Sequence, residues 1–91
     1  MISGKLIFVR KGDFCIIKSD DKYYINVLFP NFYRNSHFDV SKDFLLDIRN
    51  LIENREFDKL TLLAEDIRKN YENYKCKEVE EVEIVKKELI Q

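Results

Sequence analysis

The placement of aromatic residues, glycine and proline divides the chain near Ser41 into two chemically different halves. Residues 1–40 contain eight of the twelve aromatic residues, both glycines and the single proline, with six basic residues against four acidic ones. Residues 41–91 contain neither Gly nor Pro, and their ten basic residues accompany thirteen acidic ones. Aromatic and β-branched runs separated by turn residues are typical of strands, whereas uninterrupted charged sequence with spaced apolar residues is typical of helices. We therefore predict a β-rich first half and a helix-rich second half.

The length and charge of the chain restrict its class. Ninety-one residues, 45% of them apolar and 36% charged, suit one globular domain spanning residues 1–91 with one core. A net charge of −1 and a pI near 5.8 argue against the strongly basic surface of most nucleic-acid-binding domains. Heavy use of Lys, Ile, Asn, Asp and Tyr without Trp suggests an AT-rich bacterial or phage genome.

The cysteines and the N-terminal segment indicate a reducing, cytoplasmic setting. Cys15 and Cys76 are too few for a disulfide-stapled scaffold or a cysteine metal cluster, so we expect reduced, buried thiols. Lys5, Arg10 and Lys11 interrupt the N-terminal apolar residues early, and no apolar run approaches the roughly 18 residues of a membrane span. We expect a cytoplasmic protein without a membrane partner.

Three short apolar runs predict an antiparallel meander. Lys5–Arg10, Phe14–Lys18 and Tyr23–Phe29 are rich in β-branched and aromatic residues. Gly12 can supply the positive φ of a hairpin turn between the first two runs, and Pro30 ends the third because proline donates no ladder hydrogen bond.

The expected register makes both faces of this meander apolar. Pairing Val9 with Phe14 and Lys18 with Tyr23 sorts the side chains by parity. One face then carries Ile7, Val9, Phe14, Ile16, Tyr23, Ile25 and Val27. The other face carries Leu6, Phe8, Cys15, Ile17, Tyr24, Asn26 and Leu28. An antiparallel sheet with a solvated face normally alternates apolar with polar residues, so both faces of this one need a cover.

The second half predicts a helical hairpin that covers one of these faces. Ser41 as N-cap and Asp43 in the first turn begin a helix that continues to Asn54, with an apolar stripe from Phe44 to Ile52. The spacing of the apolar residues from Phe57 to Tyr74 predicts a second helix. Two helices joined by a short connection form an antiparallel hairpin, which leaves the other sheet face without a helix.

The ends of the two halves leave alternatives open. The segment 76–91 has valines at helical spacing but also strand-like β-branched density, and we favour a strand from about Val79 to Lys86. Residues 31–39 form a loop, or Ser36–Val40 adds a fourth edge strand. The predicted fold class is α+β: a three- or four-stranded antiparallel sheet packed against a helical hairpin, with a C-terminal strand or helix.

No catalytic motif is present in the sequence. Two glycines cannot build a phosphate-binding loop, and no HExxH, CxxC or nucleophile elbow occurs. His37 is the sole histidine, and the acidic pairs Asp20–Asp21 and Glu80–Glu81 are typical of a turn and a solvated edge. We predict no catalytic residue, no metal site, no cofactor and no enzymatic activity.

The predicted binding residues combine aromatic rings with cationic groups. Phe32, Tyr33, Arg34 and His37 share the one long linker, and Tyr24 lies on the sheet face that the hairpin leaves open. Aromatic and Arg side chains are enriched at protein interfaces because they bring large contact areas with few rotamers to fix.

These residues favour a small protein-binding module that inhibits or neutralises a host or toxin-like protein by steric occlusion, as toxin-immunity and phage counter-defence proteins do. A homodimer is a second use of the same apolar face. The alternative function is binding of single-stranded nucleic acid through the aromatic loop with Lys5, Arg10, Lys11 and Lys18, although the overall acidity argues against it.

Overall fold

The predicted meander forms in a computed structural model that describes residues 2–29 and 40–90. Its three strands, β1 (Ile2–Arg10), β2 (Phe14–Ser19) and β3 (Lys22–Phe29), are antiparallel neighbours, and a further antiparallel strand, β4 (Val40–Leu45), pairs with β3. The predicted pair Lys18–Tyr23 is present, and Ser19 pairs with Lys22 so that Asp20 and Asp21 form the turn. The α+β class is confirmed.

The first hairpin differs from the expected register by one residue. Arg10, not Val9, pairs with Phe14, because three residues, Lys11 to Asp13, form the turn. Gly12 adopts the expected positive φ of 77°, and Arg10 Nε lies 3.0 Å from Asp13 Oδ2.

A β-bulge in β1 further changes which side chains share a face. The register with β2 shifts between Leu6 and Phe8, so one residue of β1 is extra. As a result Ile7 and Phe8 both belong to the core beneath the helices, and Val9 packs at the opposite face. The predicted faces of Phe8 and Val9 were wrong because of the one-residue difference in the hairpin register, whereas the bulge at Ile7 returns Leu6 and Ile7 to their predicted faces.

The predicted first helix was wrong over its first part. Val40–Leu45 is the strand β4, which pairs with β3 along its full length, and α1 spans only Arg49–Glu53. As a strand, this segment directs Asp43 and Phe44 to opposite faces, and both are buried. The alternative strand Ser36–Val40 lies outside the described residues except at Val40.

The second helix forms largely as predicted. It comprises α2 (Phe57–Lys69) and α3 (Tyr71–Tyr74), separated at Asn70. The buried stripe of Leu60, Ala64 and Ile67 packs on the first face of the sheet. No helix in the described residues is long and apolar enough to cross a membrane.

The C-terminal segment forms two strands, which confirms the strand alternative. After a 3₁₀ turn (Lys75–Lys77), β5 (Glu78–Val79) pairs antiparallel with β4, and β6 (Val82–Lys87) pairs parallel with β1. The sheet is therefore mixed and six-stranded, in the order β5-β4-β3-β2-β1-β6, rather than a three- or four-stranded antiparallel sheet.

This order requires the sheet to curl. β5 and β6 lie at opposite edges, yet only Glu80 and Glu81 separate them in the chain. Three Cα–Cα steps span at most about 11 Å, so the two edges approach each other at this point. The curl encloses the face opposite the helices and forms a second core from Leu6, Ile17, Tyr24 and Val82.

Candidate protein-binding groove

The predicted binding residues fall into two groups in the structure. Phe32, Tyr33, Arg34 and His37 lie outside the described residues, so their role stays a prediction. Tyr24 lies in β3 within the second core and is 4% exposed. The face that we expected to be open is thus enclosed by the sheet itself, and Tyr24 offers a partner little surface.

The curl leaves a groove of about 630 Å³ at the mouth of the second core. β4 forms one side of it, and β5, the Glu80–Glu81 connection and the start of β6 form the other. Apolar side chains and carboxylates both line it. The apolar ones are Ile17, Val79, Val82 and Ile84. The carboxylates are Asp43, Glu78, Glu80 and Glu81.

Asp43 holds the two sides of the groove together. Its Oδ2 accepts a hydrogen bond from the Val82 backbone N–H at 3.0 Å, and its Oδ1 accepts one from Asn26 Nδ2 at 2.9 Å. Burial raises the pKa of this carboxyl above its usual value and the nearby Glu81 adds to the rise, while the two hydrogen bonds act in the opposite direction. Asp43 therefore joins β4 to the beginning of β6 and closes the sheet.

The two cysteines differ in their exposure to solvent. Cys15 lines the groove, and its burial, with Asp43 nearby, raises its pKa to about 11. The Cys15 thiol is therefore protonated at neutral pH and is a poor nucleophile. Cys76 is exposed, which corrects the expectation that both thiols are buried. Over residues 2–29 and 40–90, no three His, Cys, Asp or Glu side chains are placed to hold a metal ion.

The charge on the groove is predominantly negative. Lys42 is the one cationic side chain among its described lining residues, and its Nζ lies 3.4 Å from Glu78 Oε2. The Tyr71 hydroxyl donates a hydrogen bond to the other oxygen of Glu78, which connects this side of the groove to the helices. Such a groove suits a ligand segment that is apolar and carries positive charge.

The basic residues that we predicted for nucleic acid do not form one cluster. Lys5 and Lys18 are cross-strand partners, and Lys86 pairs with Lys5 on the other side, so three lysines form a row across β2, β1 and β6. Glu88 contacts Lys5 at 3.4 Å and Lys86 at 2.9 Å. Arg10 and Lys11 lie at the opposite end of the β1–β2 hairpin from Lys5 and Lys18.

Sequence reasoning missed the groove because its two sides are about forty residues apart in the chain. The one available signal was the density of glutamate between Glu78 and Glu83, which we interpreted as a solvated edge. No protein-family model, curated protein or solved structure matches the chain. The proposals below therefore depend on the geometry and the charges described above.

Proposed function

We propose that the chain is a non-enzymatic protein-binding module that inhibits or neutralises its partner by steric occlusion, with the groove as its docking site. The observation that carries this proposal is the pairing of accessible apolar side chains in the groove, Val79 and Ile84, with a rim of carboxylates such as Glu81. The fitting partner is a protein whose own working surface is basic, in the manner of the targets of toxin-immunity or phage counter-defence proteins.

The two parts of the groove contribute differently to binding. Burial of apolar side chains against Ile84 and Val79 supplies affinity, at about 25 cal/mol per Å² of apolar surface removed from water. The carboxylates attract and orient a basic surface, which increases the association rate more than the affinity and makes association depend on salt.

A charge reversal on the rim tests the proposal. Glu81 is exposed, and Glu65, an exposed glutamate on α2 distant from the lining residues, is the matched control. We expect the wild type and Glu65→Lys to retain the same protein from a host lysate and to suppress that protein's activity once it is purified. Glu81→Lys should weaken its binding at least tenfold. Equal binding by Glu81→Lys and Glu65→Lys would contradict a docking role for the groove.

The same binding assay also tests the residues of the long linker, in a separate variant. A chain with Phe32, Tyr33, Arg34 and His37 all changed to alanine tests the aromatic interface predicted from the sequence. We expect this variant to lose affinity for the same partner, because aromatic and Arg side chains concentrate interface energy. Unchanged affinity would remove the loop from the interface while leaving the groove result unaffected.

Single-stranded nucleic acid remains the second candidate, and the lysine row favours it. Like charges directly opposite each other in a sheet are destabilising. Glu88 supplies one negative charge to the three lysines Lys18, Lys5 and Lys86, so the row keeps a net positive charge that suits an anionic ligand. Fluorescence anisotropy measures the binding of a labelled oligonucleotide. The affinity should decrease steeply as the salt concentration rises, and it should be lower in a Lys5→Ala/Lys18→Ala variant than in the wild type. Failure to bind at low salt would eliminate this candidate.

A further inference from the structure

Another cavity, of about 490 Å³, opens beside the turn between β2 and β3. Segments that are distant in the chain line it: residues 21–23, residues 45–47 with Arg49, and the 3₁₀ turn that precedes β5. We call it the Arg49 pocket. Among the described lining residues it shares Val79 alone with the groove. A cavity of this size holds a small molecule where apolar walls combine with a few fixed polar groups.

The walls of the Arg49 pocket include apolar side chains that remain partly accessible. Leu45 and Leu46 are half-buried, and Tyr23 is 9% exposed. A ligand that contacts them removes apolar surface from water, which favours binding. The pocket therefore suits a ligand with an apolar body.

Cationic side chains outnumber carboxylates in this pocket. Arg49, Lys22 and Lys77 are exposed, and they form no ion pair among residues 2–29 and 40–90. Asp21 and Asp47 also line the pocket, and their carboxylates are likewise unpaired within those ranges. The pocket thus keeps a net positive charge, which attracts an anion.

The Arg49 guanidinium is held in place by contacts within the protein. Its Nη2 donates a hydrogen bond to the Asp21 carbonyl oxygen at 2.7 Å, and its Cζ lies 5.9 Å from the centroid of the Tyr23 ring. A guanidinium carries five N–H donors, so others remain for the oxygens of a carboxylate, sulfonate or phosphate. Because the group is already positioned, little side-chain freedom is lost when an anion binds.

We propose that the Arg49 pocket binds a small organic anion, a molecule with an apolar or aromatic body and one acidic group. The acidic group accepts hydrogen bonds from Arg49 and is attracted by Lys22 and Lys77. The apolar body contacts Leu45 and Leu46. The inference does not depend on the proposed function, because the carboxylates of the groove do not line this pocket.

The first test separates the two parts of the ligand with a pair of fluorescent probes. Anilinonaphthalene sulfonate joins aromatic rings to a sulfonate, and phenylnaphthylamine has the same rings without the sulfonate. In fluorescence titrations, Arg49→Gln should weaken binding of the sulfonate probe roughly tenfold and change binding of the neutral probe by less than about twofold. Equal effects on the two probes, or no saturable binding of the sulfonate probe by the wild type, would overturn the proposal.

The second test changes only exposed lysines, so it does not disturb the contacts that hold Arg49. Lys22→Glu/Lys77→Glu should weaken binding of the sulfonate probe roughly tenfold, because it replaces attraction with repulsion at two positions of the pocket. Lys11→Glu/Lys69→Glu is the matched control, since it changes the net charge equally at exposed lysines outside the pocket. Equal weakening in the two variants would attribute binding to net charge and overturn the proposal.

Competition experiments show which acidic group the pocket prefers. Benzoate and phenyl phosphate carry the same ring with a carboxylate or a phosphate, and each should displace the sulfonate probe from the wild type. The lower inhibition constant identifies the preferred group. Failure of both to displace the probe would overturn the assignment of the pocket to small organic anions.

Discussion

At the scale of single residues, Gly4 shows how closely the curled sheet packs. A Cβ at this position would lie 2.7 Å from Ile17 Cγ2 and 2.7 Å from the Lys18 carbonyl oxygen. Backbone cannot move away as a flexible side chain would, so we expect Gly4→Ala to lower the free energy of unfolding by about 1–3 kcal/mol. Urea denaturation measures the loss. The neighbouring exposed Ser3→Ala should change stability by less than about 0.5 kcal/mol, and equal effects of the two variants would disprove the steric explanation.

Asp43 predicts a pH dependence of stability. Its folded-state pKa is raised, so the folded protein binds this proton more tightly than the unfolded chain, whose carboxyl titrates near about 3.9. The contribution of Asp43 is therefore greatest below that value and decreases as pH rises through the folded-state pKa. The free energy of unfolding of the wild type minus that of Asp43→Asn should fall as the pH rises from about 3.9 through the folded-state pKa and then level off.

Asp43→Asn is an informative control because it removes the titration while keeping the size of the side chain. It also replaces one acceptor oxygen with a donor, so either Asn26 or Val82 loses its bond, at a cost of about 1–3 kcal/mol. A difference that instead rises with pH would mean that the two hydrogen bonds outweigh burial and that the pKa is lowered.

At the scale of elements, Arg68 fixes α2 to the end of the sheet. Its Nε donates to the Leu28 carbonyl at 2.6 Å, and its Nη2 donates to the Asp13 carbonyl at 2.6 Å and to the Asp13 carboxylate. We expect Arg68→Ala to cost about 3 kcal/mol, since the bonds are charge-assisted and partly buried. Arg68→Lys should recover less than half, because an ammonium lacks the planar fork. Thermal and urea unfolding measure both.

The adjacent Lys69 supplies the control for Arg68. It is exposed in the same last turn of α2, so Lys69→Ala changes the charge by the same amount while removing no contact to the sheet. We expect a change within about 0.5 kcal/mol. A comparable loss in the two variants would attribute the effect of Arg68 to net charge rather than to its three acceptors.

The elements that were predicted correctly are those whose pattern is local. The stripe of Leu60, Ala64 and Ile67 repeats at helical spacing and is buried as expected. Ser41 and Asp43 also form a local pattern, that of a helix N-terminus, but the helix that this pattern predicted is the strand β4. Pairing with β3 along all of β4 outweighed this capping preference, and Asp43 accepts hydrogen bonds from Val82 and Asn26 instead of from a helix N-terminus. Propensity is a weak guide where tertiary pairing opposes it.

At the scale of the whole molecule, the predicted fold was wrong where it depended on the curl of the sheet, which encloses the second core. The two apolar faces were recognised from residue composition, and both are buried. The sequence alone did not show that a strand following the helices would return to β1, since Ile2 and Val82 are eighty residues apart. The groove forms because β6 pairs with β1, so it could not be predicted without knowing that pairing. Its acidic rim was visible as a run of glutamates, but the run did not reveal which apolar residues lay beneath it.

The two cores also predict how the molecule responds to paired mutations. Leu60 belongs to the core under the helices and Val82 to the core inside the curl, and the two sets of buried residues do not overlap. We expect Leu60→Ala to cost about 2–5 kcal/mol and Val82→Ala about 1.5 kcal/mol. Because the sheet separates the two sites, the double variant should lose their sum to within about 0.5 kcal/mol.

A pair within one core provides the contrast. Phe8 and Phe57 stack in the helix-side core with their ring centroids 4.4 Å apart, so alanine substitutions at these two positions should depart from additivity by more than about 0.5 kcal/mol. Urea denaturation of the single and double variants measures both cycles. Strong coupling between Leu60 and Val82 would mean that the sheet transmits packing changes from one face to the other. A ligand in the groove would then be expected to alter the helix layer as well, because both respond to the same curvature.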